Sequence, residues 1–312
     1  NKLMNKKILI LGVTGQDGSY LMDFLIKKNY QVHGLIRKSA TGNTKNIDHV
    51  INNPKLFNKS FFLHRGDLLD SVSLTNVINM VQPAEIYNFA DQDHVGWSFE
   101  IPTYSFRVSA LSVIDILEII KNSKKKIKYF QPISSNIFGI TNSKKQNENT
   151  TVDPNSIYGL AKVTALQACK MYSRVYNLFL CGAIFYNHES PKRAQDYVSK
   201  KIVEGACAIY RGEKKYIYLG DIKAQIDWGY AKDYAETAWK IMQLKKPDFF
   251  VIATGEVHSV EYFVKNCFSY VGLNYKKYLK IDKKLLRPSK TNVLIGDISK
   301  AKKKLITKLK QT

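Results

Sequence analysis

Acidic residues are in short supply. Asp and Glu total 26 against 48 Lys and Arg in 312 residues, a formal net charge of +22. Such a surplus invites a nucleic-acid reading, because lysines bind phosphate backbones. Here the lysines are scattered in small groups (Lys27–Lys28, Lys124–Lys126, Lys144–Lys145, Lys214–Lys215, Lys302–Lys304), as on solvated faces, and no nucleic-acid motif accompanies them. No nucleic-acid partner is expected, although a basic surface still draws in a doubly anionic small substrate. Cysteine is scarce too. Cys169, Cys181, Cys207 and Cys267 lie far apart and form no CxxC pair. They read as buried free thiols of a reducing, cytoplasmic compartment, with neither a metal site nor a disulfide framework. Long apolar runs are missing: nothing reaches the ~18–20 residues that span a bilayer, so no membrane partner is expected. The apolar stretch Ile8–Leu11 runs straight into a glycine turn, the pattern of a first strand rather than of a signal peptide.

What is present is an ordinary globular composition, 45% hydrophobic and 24% charged, which excludes a disordered chain. The first third alternates strand and helix patterns. Lys7–Leu11, Gln31–Ile36, Ser60–His64, Glu85–Ala90 and Lys126–Pro132 read as strands; Tyr20–Lys28, Leu68–Val81 and Ser105–Asn122 read as helices. A helix over Ile157–Tyr176 and a strand over Leu178–Phe185 continue the series. Strands separated by helix-length segments imply right-handed βαβ units and an α/β, Rossmann-type doubly wound parallel sheet. The pattern loosens through Asn187–Asp227. The expected division is residues 1–186 plus 227–257 for the dinucleotide-binding domain, and 187–226 plus 258–312 for a smaller, discontinuous substrate lobe.

Gly12-Val13-Thr14-Gly15-Gln16-Asp17-Gly18 follows the first strand and opens the first helix. Glycines at 12, 15 and 18 let the turn close, let backbone approach a pyrophosphate, and let helix pack on strand; the helix N-terminus offers free N–H groups to the anion. The second strand ends at Arg37-Lys38, where an acidic residue would hold the ribose hydroxyls of NAD. Basic residues there suit the 2′-phosphate of NADP; alternatively Arg37 stacks on the adenine or meets a neighbouring subunit. Asp67 and Leu68, after the third strand, are placed to flank the adenine.

Tyr158 and Lys162 form a YxxxK pair on one face of a predicted helix. A cationic lysine beside a phenol favours the phenolate, so the tyrosine can take a proton from an alcohol near neutral pH. Ser134 and Ser135, at the end of a preceding strand, are placed to hydrogen-bond the same substrate oxygen.

These residues carry a family resemblance. The chain resembles the extended short-chain dehydrogenase/reductases, and among them the GDP-mannose 4,6-dehydratase family. The matching stretches are Gly12 to Leu21, Val32 to Arg37, Gln82 to Asn88, Tyr158-Gly159-Leu160-Ala161-Lys162, Phe185 to Arg193, Asp227 to Tyr234, Arg287-Pro288 and Gly296-Asp297. The Asn187-His188-Glu189-Ser190-Pro191 stretch resembles the subgroup that handles GDP-manno sugars. The resemblance implies that Ser134, Tyr158 and Lys162 serve hydride transfer, with Ser135 and position 136 beside them. It implies cofactor contacts from Thr14, Gln16, Asp17, Arg37, Asp67, Leu68, Phe89, Ala90, Gln92, Tyr104, His188 and Arg193, besides the glycines. Asn187, Lys201 and Arg287 match nucleotide-sugar positions, and a pyrophosphate suits Lys201 and Arg287 chemically. Relatives form homo-dimers or homo-tetramers, and Arg37–Asp48 resembles their intersubunit loop.

Departures from the family pattern are informative. The dehydratases carry Thr-Ser-Glu where this chain has Ser134-Ser135-Asn136, and that glutamate removes the proton next to the new ketone and helps expel the 6-hydroxyl. Asparagine hydrogen-bonds but does not take a proton near pH 7. Asp93 stands where the family has serine, and offers a relocated acid near the sugar. Ile226 replaces an arginine and Lys290 an acidic residue, which leaves room for a differently shaped or longer sugar. The expectation is oxidation of the C4 hydroxyl of a GDP-manno-type sugar without dehydration, as in the GDP-manno-heptose 4-dehydrogenases of bacterial surface-polysaccharide biosynthesis. The alternatives are a 4,6-dehydratase using Asp93, or a non-catalytic nucleotide-binding protein. The branch resemblance implies NAD(H), tightly bound, with NADP(H) as the alternative that Arg37 suggests. A reaction without elimination leaves a reduced cofactor, so exchange or a small 2-keto acid as hydride acceptor is also expected.

Overall fold

The computed structural model describes residues 6–39, 42–286 and 293–305. Its strands are β1 (Lys7–Leu11), β2 (Gln31–Ile36), β3 (Phe61–Arg65), β4 (Glu85–Asn88), β5 (Lys128–Ser134), β6 (Leu180–Phe185), β7 (Asn187–Glu189), β8 (Ile217–Leu219), β9 (Gln225–Ile226), β10 (Trp228–Tyr230), β11 (Phe249–Ile252), β12 (His258–Ser259) and β13 (Leu279–Ile281). The helices are α1 (Gln16–Lys27), α2 (Asp48–Ile51), α3 (Ser71–Val81), α4 (Trp97–Glu100), α5 (Pro102–Phe106), α6 (Ser112–Lys121), α7 (Ile157–Tyr176), α8 (Val198–Tyr210), α9 (Ala231–Met242), α10 (Val260–Tyr270) and α11 (Ser299–Leu305).

Seven strands form one sheet in the order β11-β6-β5-β4-β1-β2-β3, all parallel. Both faces are covered, which is why β1 is apolar from Ile8 to Leu11. Leu9 and Leu11 point to a core shared with Leu74, Ile116 and Leu166, while Ile8 and Ile10 point to one shared with Leu21 and Ala238. Strand order reverses between β1 and β4, so a crevice opens at their carboxyl ends. A third core joins Ile202, Ala206, Ile217, Trp228, Val264 and Phe268, from α8, β8, β10 and α10. The sequence-irregular stretch 187–226 thus contains a 13-residue helix and three short strands.

Several boundaries differ from the sequence reading for local reasons. Helix α1 starts at Gln16 rather than Tyr20, because the chain is helical directly after the extended N-cap Gly15, with Gly18 already in the first turn. Helix α3 starts at Ser71 rather than Leu68, because the Asp70 side chain caps it by accepting from Val72 N at 3.2 Å. Strand β5 runs two residues further than expected and carries Ser134 as its last residue. The stretch read as one helix over Ser105–Asn122 contains a π turn, Arg107–Leu111, between α5 and α6. Cys169 and Cys181 are buried as expected, whereas Cys207 and Cys267 are only half-buried; all four are free. Among the described residues no helix is long and apolar enough to cross a membrane.

Asp227 ties the segments together. It is 1% exposed, and its carboxylate accepts from Thr254 N (2.8 Å), Thr254 Oγ1 (2.6 Å), Gly255 N (2.9 Å) and Gly296 N (3.2 Å). A buried carboxylate is tolerated when this many donors replace its water. Asp227→Asn leaves the Gly255 and Gly296 N–H groups facing a donor instead of an acceptor. We expect a loss of about 2–3 kcal/mol of unfolding free energy in urea titration; a loss below about 0.5 kcal/mol would show that the tie is dispensable.

Candidate active site

Gly12 sits at φ +76°, and a Cβ there would lie 2.6 Å from Ala90 N and 2.7 Å from the Phe89 carbonyl carbon. A Cβ at Gly18 would lie 2.3 Å from the Gly12 oxygen. Only glycine fits at either position. Gly15 is the N-cap of α1 and supplies no side-chain cap, so the first-turn N–H groups and the positive end of the dipole face the crevice. This cradle fits a dinucleotide pyrophosphate. Thr14 is half-buried and lends its carbonyl to Asn46 Nδ2 at 3.0 Å.

The Gln16 and Asp17 side chains bond to the segment after β6. Gln16 Nε2 donates to the His188 carbonyl (3.0 Å), and Gln16 Oε1 accepts from Ser190 Oγ (2.7 Å). His188 lies between two acceptors, Asp17 Oδ2 at 2.8 Å from Nε2 and the Tyr186 carbonyl at 2.7 Å from Nδ1, and its ring stacks on Tyr234. Burial lowers its pKa, but the Asp17 carboxylate and these hydrogen bonds outweigh that and hold it above the ordinary histidine value. With both ring nitrogens donating, the imidazolium is the form that fits. The side chains of Gln16, Asp17 and His188 therefore fasten the segment after β6 onto the glycine turn.

At the end of β2, Arg37 donates to Tyr104 OH at 2.9 Å. Asp67 Oδ1 accepts from Leu69 N (2.9 Å), and Leu68 is buried. Phe89 and Ala90 lie against the glycine turn through their backbone. Gln92 is spent internally: its Nε2 donates to Ser105 Oγ (2.7 Å) and its Oε1 accepts from His94 N (2.7 Å).

The residues expected to transfer protons converge from β5 and α7. Ser156 caps α7 by accepting from Gly159 N at 3.0 Å, which fixes where the helix begins and how Tyr158 and Lys162 face the sheet. Tyr158 is 7% and Lys162 3% exposed. The Lys162 ammonium lies 5.6 Å from the Tyr158 ring centre, donates to the Pro132 carbonyl (3.1 Å), and pairs with Asp91. Burial pushes the Tyr158 phenol up to about 12, with Lys162 opposing and Asp91 and Asp93 adding to the rise. Burial alone would depress Lys162, but Asp91 and Tyr158 raise it to about 12. Ser134 Oγ accepts from Asn136 N (3.2 Å) and from Asn136 Nδ2 (3.0 Å). Asn136 therefore orients the serine. Ser135 is buried beneath this turn.

Asp93 is 54% exposed at the mouth of the site, 3.6 Å from Arg193. Arg193 also meets Glu189 at 3.2 Å and stacks over the Tyr197 ring at 3.4 Å. Asn187 and Lys201 are exposed, on β7 and α8, while Arg287 and Lys290 lie outside the described residues. Sequence reasoning missed Asp91, Glu189 and Tyr197. The available signal for Asp91 was a second carboxylate two residues before Asp93 in the loop after β4.

The GDP-mannose 4,6 dehydratase family model matches residues 9–310. The chain is 43% identical over 305 residues to GDP-mannose 4,6 dehydratase 1 of Arabidopsis thaliana, covering 96% of this chain and 84% of that one. To the human GDP-mannose 4,6 dehydratase it is 39% identical over 317 residues, covering 95% and 85%. The chain belongs to the GDP-mannose 4,6-dehydratase family. Among solved structures, UDP-glucose 4-epimerase of Thermotoga maritima has a TM-score of 0.83 at 22% identity, covering 98% of this chain and 94% of that one. The dTDP-glucose 4,6-dehydratase of Streptomyces venezuelae has a TM-score of 0.84 at 17% identity, covering 98% and 92%. Identities this low speak for the fold, the expected α/β Rossmann-type sheet with smaller sheets beside it.

The His188–Asp17 pair sets a pH dependence. A histidine whose folded pKa is raised contributes stability that is complete below its unfolded value, about 6.5, and is lost as pH rises through the folded value. His188→Gln should therefore cost more at about pH 6 than at about pH 9 in urea-unfolding midpoints. An equal cost at both would mean that His188 is neutral in the folded state.

Proposed function

We propose that this member of the family oxidises the C4 hydroxyl of a GDP-manno-type sugar, with GDP-manno-heptose as the leading candidate, and stops at the 4-keto product. The observation that carries this is Asn136, whose amide is committed to Ser134 Oγ at 3.0 Å where dehydration needs an acid. Tyr158 takes the hydroxyl proton, Ser134 holds the same oxygen, and Lys162 supplies the positive field. A nicotinamide dinucleotide held at the glycine cradle would supply the hydride acceptor. Of the two neighbouring carboxylates, Asp91 is buried against Lys162 and Asp93 faces Arg193. Without elimination the hydride does not return to the sugar, so turnover requires cofactor exchange or an acceptor such as a small 2-keto acid.

The second reading, complete 4,6-dehydration, is favoured by the names of the relatives, all dehydratases at about 40% identity. It assigns the relocated acid to Asp93, 54% exposed at the site's mouth. Mass spectrometry of the product from GDP-mannose and GDP-manno-heptose separates the two. Loss of two hydrogens, dependent on an acceptor, is expected. Loss of one water, abolished by Asp93→Asn, would establish the dehydratase.

NAD(H) is the proposed cofactor and NADP(H) the alternative that Arg37 supports. If a 2′-phosphate meets Arg37, Arg37→Ala should weaken NADP(H) binding by about tenfold or more and NAD(H) binding little. Equal losses in calorimetric titrations of both would instead place the guanidinium on the adenine. The proposed partner is a second copy of the chain. Leu160, Met171 and Val175, 43%, 39% and 58% exposed, line one face of α7, with Leu111 at 45% in the neighbouring π turn. Such an apolar face suits a homo-oligomer contact.

A further inference from the structure

The lysine of the proton-transfer pair has a carboxylate behind it. Asp91, 10% exposed, sits three residues beyond the end of β4. Its Oδ2 lies against the Lys162 ammonium, while its Oδ1 accepts from Ser109 Oγ and from Gln92 N at 2.8 Å. Ser109 belongs to the π turn Arg107–Leu111. Such single-turn interruptions of a helix occur often at functional sites. Four elements therefore meet at one ammonium: the loop after β4, the π turn behind it, β5 through the Pro132 carbonyl, and α7.

Two physical consequences follow. Lys162 has three N–H bonds; Asp91 and Pro132 take two, so the direction left open toward Tyr158 and a ribose is fixed. A carboxylate in contact with the ammonium also offsets much of its field at the phenol, in a buried site where that field is weakly screened. We propose that Asp91 is the positioning residue of this proton-transfer site, aiming the Lys162 ammonium and opposing its pull on the Tyr158 hydroxyl proton. The other groups facing that hydroxyl are Ser134 from β5, Asp93 from the same loop, and Tyr197 at the start of α8, with Arg193 balancing Asp93. None of them touches Lys162 as Asp91 does. The inference rests on Tyr158 being the base and is independent of which sugar is oxidised.

The test is the titration of Tyr158 itself, in the whole protein without added substrate. Fluorotyrosine incorporated biosynthetically brings phenol titration into an accessible range, and the Tyr158 fluorine resonance is assigned by its loss in Tyr158→Phe. Asp91→Asn keeps the shape and an acceptor for Ser109 and Gln92 but removes the charge. The Tyr158 midpoint should fall by about one pH unit or more. Asp91→Ala should move it the same way, so whichever variant folds gives an answer. The lower limb of the pH profile of kcat/KM for alcohol oxidation should follow the same shift. A Tyr158 midpoint unmoved in a folded Asp91 variant overturns the inference. Full oxidation activity in Tyr158→Phe would instead overturn the assignment of the base, a separate result.

Discussion

Two backbones in close contact organise the chemistry of this chain. With no side chain at Gly12, the turn after β1 lies directly against Phe89 and Ala90 at the end of β4. That contact shapes the phosphate cradle on one side and pins the start of the next loop on the other. Within the loop, successive side chains part company. Asp91 points inward to Lys162, Gln92 is buried against Ser105, and Asp93 points outward to Arg193. A Cβ at position 12 would displace the cradle and the carboxylate behind the lysine together.

The distribution of acid around the site then carries the functional argument. Proton abstraction from carbon beside a ketone needs a group with a titratable proton, within reach of that carbon. Position 136 holds an amide whose donor is engaged by Ser134. The acids that remain nearby are held by cations, Asp91 by Lys162 and Asp93 by Arg193. Only Asp93, more than half exposed and 3.6 Å from its partner, is loosely enough held to serve. The same logic explains why the intact Ser134, Tyr158 and Lys162 set is compatible with oxidation alone.

Much of this was legible in the sequence, for physical reasons. Parallel strands covered on both faces must be continuously apolar, so β1 and β6 stood out, and YxxxK on a helix defines one face without tertiary information. The fingerprint glycines declared themselves through spacing. Contacts set by the fold were not legible. Asp91 and Lys162 are 71 residues apart and meet only because β4 and β5 are neighbours in the sheet. His188, matched to a cofactor contact, has both ring nitrogens engaged by Asp17 and the Tyr186 carbonyl. The π turn between α5 and α6 was not legible either, since one short turn of Arg, Val, Ser, Ala and Leu fits a continuous helix as well.

The segment after β6 shows how a motif read as a substrate signature also serves geometry. Alternation along an extended strand sends His188 and Ser190 toward α1, where they meet Asp17 and Gln16. It sends Glu189 the other way, to Ser199 Oγ at 2.5 Å near the start of α8. Lys192 adds an ion pair to Asp23 on α1 at 3.0 Å, and Arg193 bridges Glu189 and Asp93. One short stretch is thus bonded to the cofactor turn, to the first helix after β7, and to the mouth of the site. These bonds fix the segment after β6 relative to the glycine cradle. A substitution among residues 188–193 should therefore disturb the glycine turn, α8 and the Asp93 loop together, even where its side chain touches only one of them.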